Sequence, residues 1–179
     1  MIGLMAGVPP PVQQPKKSST LWIVLIVLGA GLCLVAIIFA AILFPVFSQA
    51  RQGALRTVTL SNAKDISFAM LMYVADNDNT LPPAFATTED LRTATGPYWS
   101  EPLDFTSKNP DGGEFLPNSL LQGVDSMLVL EPERAVLIYE SLQWKWKNGR
   151  VVAYFDGSAA FVEEFDESAA LPVEMVPDE

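Results

Sequence analysis

The chain has 179 residues, half of them hydrophobic, with 21 acidic against 11 basic side chains, one cysteine and no histidine. The missing histidine excludes Ser-His-Asp and Cys-His catalysis and any His-containing zinc site, and one cysteine excludes an internal disulfide or a thiolate cluster. A formal charge of −10 argues against nucleic-acid binding, which needs a basic face to neutralise phosphate. A chain that is half apolar and yet strongly acidic implies that the two residue classes are segregated along it.

Residues 1–20 carry Pro9-Pro10-Pro11 and Pro15, and their only charges are Lys16 and Lys17. Proline favours polyproline II and nothing here is periodic enough to bury, so this segment is expected to be a disordered proline-rich tail. From Leu21 to Phe47 follow 27 residues without a charged side chain. At about 1.5 Å per residue such a run crosses a hydrocarbon core about 30 Å thick, and the reading is a single-pass transmembrane helix over 21–47 that partitions into membrane lipid. A cleavable signal sequence would have an apolar region of about 7–15 residues. This run is longer and continues through Phe44-Pro45-Val46-Phe47, although Ser48, Gln49 and Ala50 offer a small-residue site. Cys33 follows Leu32 in mid-span, where a packing thiol is expected rather than an acylated one.

All 21 acids lie beyond the span, where they meet nine basic groups, a net of −12 for residues 48–179. Lys16 and Lys17 argue for a cytoplasmic N-terminus, while Arg51, Arg56 and Lys64 argue the other way. Long C-terminal domains translocate largely regardless of such counts, so the expected arrangement is a cytoplasmic N-terminus with the C-terminal domain extracytoplasmic.

The helical period continues over 48–80. Leu55, Val58, Ala63, Ile66, Ala69, Met70 and Tyr73 fall on one side of a helix, the stripe of an element packed along one face. Asn62 shares that stripe and is expected to make a structural hydrogen bond. Asp76-Asn77-Asp78-Asn79 ends the helix, and Leu81-Pro82-Pro83 prevents its resumption.

Residues 81–166 read as a globular domain. Ser126–Leu130, Ala135–Tyr139 and Val151–Phe155 are β-rich runs bounded by Pro, Gly and Asp. Asp156-Gly157, before Ala159–Phe165, predicts a tight hairpin with positive φ at both central residues. Residues 84–125 look irregular, with Gly96-Pro97, Asn109-Pro110 and Asp111-Gly112-Gly113, and 167–179 read as a solvated acidic tail. Trp144, Lys145, Trp146 and Lys147 alternate, which on an extended segment puts the indoles on one face. The fold class is α+β: a long N-terminal helix on a small antiparallel sheet.

Ala41–Arg51 (AILFPVFSQAR), Leu60-Ser61-Asn62-Ala63-Lys64, Met72–Asp78 (MYVADND), Leu116–Gly123 and Glu131–Glu140 together resemble bacterial prepilin-like proteins of the type IV pilin and type II secretion pseudopilin superfamily. The resemblance covers about residues 41–165 and implies a pilin-like layout. That family's C-terminal signature is a His, nine residues, then Asp-Gly; Asp156 and Gly157 match, whereas Trp146 occupies the His position. Prepilins also carry a Gly cleavage position and a Glu at the fifth mature residue. Here the apolar run has no Glu, and Gly29 and Gly31 lie inside it, so prepilin processing is not expected.

The resemblance implies a non-enzymatic, membrane-anchored pseudopilin-like subunit of the cell envelope, associated with a type II secretion or type IV pilus-like system and contacting other pilin-like subunits or secretion-platform proteins. The alternative is a single-pass tethered binding module outside the cytoplasm, one version of it calcium-dependent. Asp76, Asp78, Asp111 and Glu114 would supply the oxygens for that cation, but neither cluster has EF-hand spacing. An enzyme would rest on a carboxylate pair, Glu163 with Glu164 or Glu131 with Glu133, and such acids on strands are ordinarily solvated.

Overall fold

The computed structural model describes residues 19–145, 147–172 and 174–175. The proline-rich tail, up to residue 18, and Trp146 lie outside the described residues. The chain divides after Ser48 into two compact units.

α1 runs from Ser19 to Asp76. Its stretch from Leu21 to Phe47 is exposed at every residue, and it is long and apolar enough to cross a membrane. Pro45 lies within this helix; it has no N–H to offer the carbonyl of Ala41.

In the second unit the rest of α1 covers one face of a four-stranded antiparallel sheet in the order β1-β2-β3-β4, made of Phe115–Pro117, Val136–Glu140, Gly149–Tyr154 and Ala159–Glu163. Ile66, Met70 and Val74 of α1 pack against Leu137, Ile138, Val151, Ala153 and Phe155. Each fully buried aliphatic side chain of this kind contributes about 1.5–3 kcal/mol. Of the stripe expected on α1, Ala63, Ile66, Ala69 and Met70 are buried, Leu55 and Tyr73 are half-buried, and Val58 is exposed. The face is rotated because two hydroxyl residues belong to it. Thr59 bonds the Leu55 carbonyl at 3.1 Å and accepts the Lys108 N–H at 3.1 Å, and Ser67 donates to the Tyr154 carbonyl at 3.1 Å. Each hydroxyl satisfies itself and ties the helix to the domain, so polarity did not keep it outside.

β2 is buried along its whole length. Its register to β3 shifts between Val136 and Ile138, a bulge that lets the consecutive Leu137 and Ile138 both join the core under α1. Val136, Tyr139 and Val152 form a second cluster with Phe165 on the other face, against which Ala170 and Leu171 pack. Phe165, Ala170 and Leu171 therefore lie against the sheet, so the start of the segment expected to be a solvated acidic tail packs on the domain while Asp166, Glu167 and Glu174 stay exposed. Asp166 caps the short helix α3 (Glu167–Ala170). Beyond it, the Leu171 carbonyl accepts Nδ2 of the buried Asn118 at 2.8 Å, the Glu174 carbonyl accepts the Leu130 N–H at 3.1 Å, and Met175 bridges Val129.

Three local expectations change. Ser126–Leu130 is not a strand: Asp125 caps a 3-10 turn at Ser126–Leu128, because a carboxylate just ahead of Ser offers the backbone a competing bond. The β3–β4 hairpin forms, but as a three-residue loop. Gly157 has φ 85 while Asp156 stays at negative φ. Tyr154 N–H bonds the Ser158 carbonyl at 2.8 Å and Gly157 N–H the Tyr154 carbonyl at 3.1 Å, a turn closed by a glycine bulge. Residues 84–125 contain β1 and also α2 (Thr88–Thr95), which starts in a capping box between Thr87 and Asp90.

Candidate functional site

The acidic residues expected to hold a cation lie at a helix end and in the loop before β1, and among the described residues they form no cluster of three or more. Asp76 is the last residue of α1, and Asp78 and Asn79 take left-handed φ of 52° and 59°. Asn79 N–H returns to the Val74 carbonyl at 3.0 Å, so the Asp-Asn run closes the helix end. Asp111 pairs with Lys145 at 2.7 Å, and the N–H of Glu114 donates to Ser141 Oγ at 3.0 Å. Among the described residues no group of three or more His, Cys, Asp or Glu side chains is arranged to hold a metal. Glu163 pairs with Lys147 and Glu131 with Arg134, while Glu164 and Glu133 are exposed.

Of the positions carried over from the resemblance, Gly157 is buried against α1. A Cβ there would lie 2.9 Å from Cε1 of Phe68. Asp156 accepts the Ser158 N–H at 2.8 Å and shapes the same turn. Asn62 is half-buried, and its Nδ2 is buried without a hydrogen-bond partner among the described residues; the expected bond from this amide group is not made. The segment around Trp144 is a turn rather than an extended strand. Trp144 N–H bonds the Gly149 carbonyl at 2.8 Å, the indole is fully buried, and Lys145 is exposed.

Two features escaped the sequence reading. The first is Glu140 at the end of β2, fully buried. Its carboxylate accepts Trp144 Nε1–H at 2.8 Å and 3.0 Å, the Val151 N–H at 2.5 Å and a very short bond from Ser107 Oγ–H. Ser107 Oγ in turn accepts the Asn109 N–H at 2.9 Å. Burial pushes the Glu140 carboxyl up, against the bonds from Ser107, Val151 and Trp144 and the charge of Arg150. Arg150 donates to the Glu140 carbonyl at 3.1 Å. Gly149 permits the close approach here, since a Cβ would lie 2.6 Å from Phe161, whose ring meets Trp144 edge-on at 6.5 Å. Every group around the Glu140 carboxylate is a donor, so it joins β2, β3, the Trp144 turn and the Ser107 loop without facing solvent.

The second is a cleft of about 400 Å³ on the sheet face away from α1. Val136, Tyr154, Val162, Phe165, Ala170 and Pro172 form its apolar walls, with Glu131, Glu133, Arg134 and Glu174 among the residues at its rim. Burial pushes the Tyr154 phenol up, with Asp156 adding to the effect, and the hydroxyl has no hydrogen-bond partner among the described residues. Neither feature brings together a nucleophile, a base and an open space, which acyl- or phosphoryl-transfer chemistry would require.

No protein-family model, curated protein or solved structure matches the chain.

Proposed function

We propose that the protein is a single-pass, membrane-tethered interaction protein of the bacterial cell envelope, pilin-like in layout, whose acidic domain faces away from the cytoplasm. The observation that carries this reading is the stretch Leu21–Phe47, exposed at every residue and uncharged. An apolar surface of that extent is costly in water and stable in hydrocarbon. Lys16 and Lys17 support a cytoplasmic N-terminus. The helix-on-antiparallel-sheet arrangement of residues 49–175 is consistent with the resemblance to pseudopilins. The uncharged span, without a Glu and with Gly29 and Gly31 inside it, supports an anchor that stays in place rather than one clipped for filament assembly.

The test is alkaline carbonate extraction of membranes from expressing cells, followed by intact-mass measurement. The full-length chain should remain in the pellet and enter solution only with detergent. Recovery in the soluble fraction would overturn the anchor, and a mass corresponding to cleavage near Gly29 or Gly31 would overturn permanent tethering. Orientation is read with Ser119→Cys in a Cys33→Ala background: an impermeant maleimide should label intact cells, and labelling only after lysis would reverse the topology.

A further inference from the structure

We infer that the cleft on the outer sheet face docks a lysine- or arginine-bearing apolar peptide segment of a partner protein. The inference deepens the reading of a tethered interaction domain and rests on it for the choice of a protein as ligand; the geometry of the cleft is independent of the membrane span.

The walls come from four places in the chain: Val136 on β2, Tyr154 on β3, Val162 on β4, and Phe165, Ala170 and Pro172 on the C-terminal segment that crosses the sheet. Apolar and polar surface share the lining about equally, which favours an occupant that is itself part apolar and part charged, and a volume of about 400 Å³ is within the range of built ligand sites. The rim decides the charge of that occupant. Three carboxylates face one guanidinium, and Arg134 is already bound to Glu131 at 3.0 Å. Glu133 and Glu174 have no ion pair among the described residues. An ammonium or guanidinium entering here meets two uncompensated carboxylates across a low-dielectric wall, whereas an anion is repelled. Tyr154 adds an aromatic face suited to a cation and a hydroxyl that can hydrogen-bond, whereas the Phe165 ring already lies under the Arg150 guanidinium, 5.8 Å from its centroid. The net charge of −12 beyond the span steers basic partners toward the same domain.

A lysine side chain alone would leave most of the cleft unfilled. A peptide that flanks the cation with leucine-sized residues covers the walls as well.

The experiment uses the full chain in lipid nanodiscs and the peptide acetyl-Ala-Leu-Lys-Leu-Ala-amide, with its Lys→Glu counterpart, in calorimetric titrations. The lysine peptide should bind and the glutamate peptide should bind at least about tenfold more weakly, with affinity falling as salt rises. Replacing Glu133 and Glu174 with Gln should weaken the lysine peptide by about two- to fivefold per carboxylate, the range for exposed pairs, and leave the fold intact because both side chains are exposed. Val162→Trp, which fills the cleft, should abolish binding while near-UV circular dichroism still reports a folded domain, at a lowered melting temperature because Val162 packs against the second cluster. No binding, equal binding of the two peptides, or binding indifferent to the double Gln substitution would overturn the proposal. Carbonate extraction of the same preparation reads the membrane anchor separately, so either claim can fail without the other.

Discussion

Glu140 offers the sharpest test of how the domain is held together. Replacing it with Ala strands Trp144 Nε1–H and the Val151 N–H inside the protein, since neither can turn to water, while Ser107 can rotate its hydroxyl. Each orphaned donor costs about 1–3 kcal/mol, so Glu140→Ala should destabilise the domain by about 2–6 kcal/mol before any cavity term. Glu140→Gln keeps the volume and one carbonyl oxygen for Val151 and Trp144, and its amide can donate to Ser107, so the expected cost is about 1 kcal/mol. At about 3 °C per kcal/mol, the two variants should melt about 3–15 °C apart. The pH dependence has a definite sign. Burial raises the folded carboxyl above its ordinary 4.5, so the folded state retains a proton that the unfolded chain has already released. The group's stabilising contribution is therefore full below about pH 4.5 and is lost as pH rises through the folded value. Wild type should accordingly lose stability relative to Glu140→Gln as pH rises from 4.5 to 7.5. Thermal melts of the full chain in nanodiscs, followed by near-UV circular dichroism, measure both effects. An Ala variant within about 1 kcal/mol of wild type, or a wild-type advantage over Gln that grows with pH, would refute the reasoning.

Gly157→Ala combines a left-handed φ with a Cβ 2.9 Å from Phe68 and should cost about 1–3 kcal/mol; Phe68→Ala in the same chain should recover the contact part and leave the backbone part, and a melt equal to wild type would contradict this. Arg150→Ala removes the ion pair to Glu167 and the bond to the Glu140 carbonyl. The Ala170 and Leu171 amides should then exchange with deuterium faster than those of β3, and unchanged protection at α3 would show that apolar contacts alone hold it. Calcium titrated into the full chain should produce no saturable heat, because Asp76, Asp78, Asp111 and Glu114 belong to no group of three or more acidic side chains among the described residues; a saturable isotherm lost on Asp78→Asn would reverse that conclusion.

The long helix was legible because apolar continuity and the 3.6-residue period both act within neighbouring residues. β2 and β3 were legible for the same reason, as β-branched runs bounded by turn residues, and β4 followed from the Asp156-Gly157 turn. Elements whose shape depends on a single side-chain bond were not. Asp125 turned an apolar run into a 3-10 turn, and Thr87 with Asp90 began α2 inside a stretch that looked irregular. The C-terminal segment misled in the opposite direction. Its composition is acidic, but Asp166, Glu167 and Glu174 are exposed while Phe165, Ala170 and Leu171 close a sheet face, and composition averages over the very distinction that decides burial.

The sites follow the same division. Acid pairs close in sequence drew attention as ligand candidates, yet an acidic residue adjacent in the chain is more readily used by the nearest backbone N–H or lysine than by a shared cation. The acid that the fold does concentrate donors upon is Glu140, whose partners lie 4, 11 and 33 residues away. A glutamate ending a run of five buried strand positions, with a tryptophan four residues on, is the local trace of that arrangement: alternation turns the carboxylate toward the core, and only donors brought from elsewhere in the chain can make that placement stable. The cleft has no such trace, because its walls meet only after the sheet has formed and the C-terminal segment has crossed it. Its rim carboxylates are the part the sequence displays, and their meaning depends on apolar walls that no local pattern reveals.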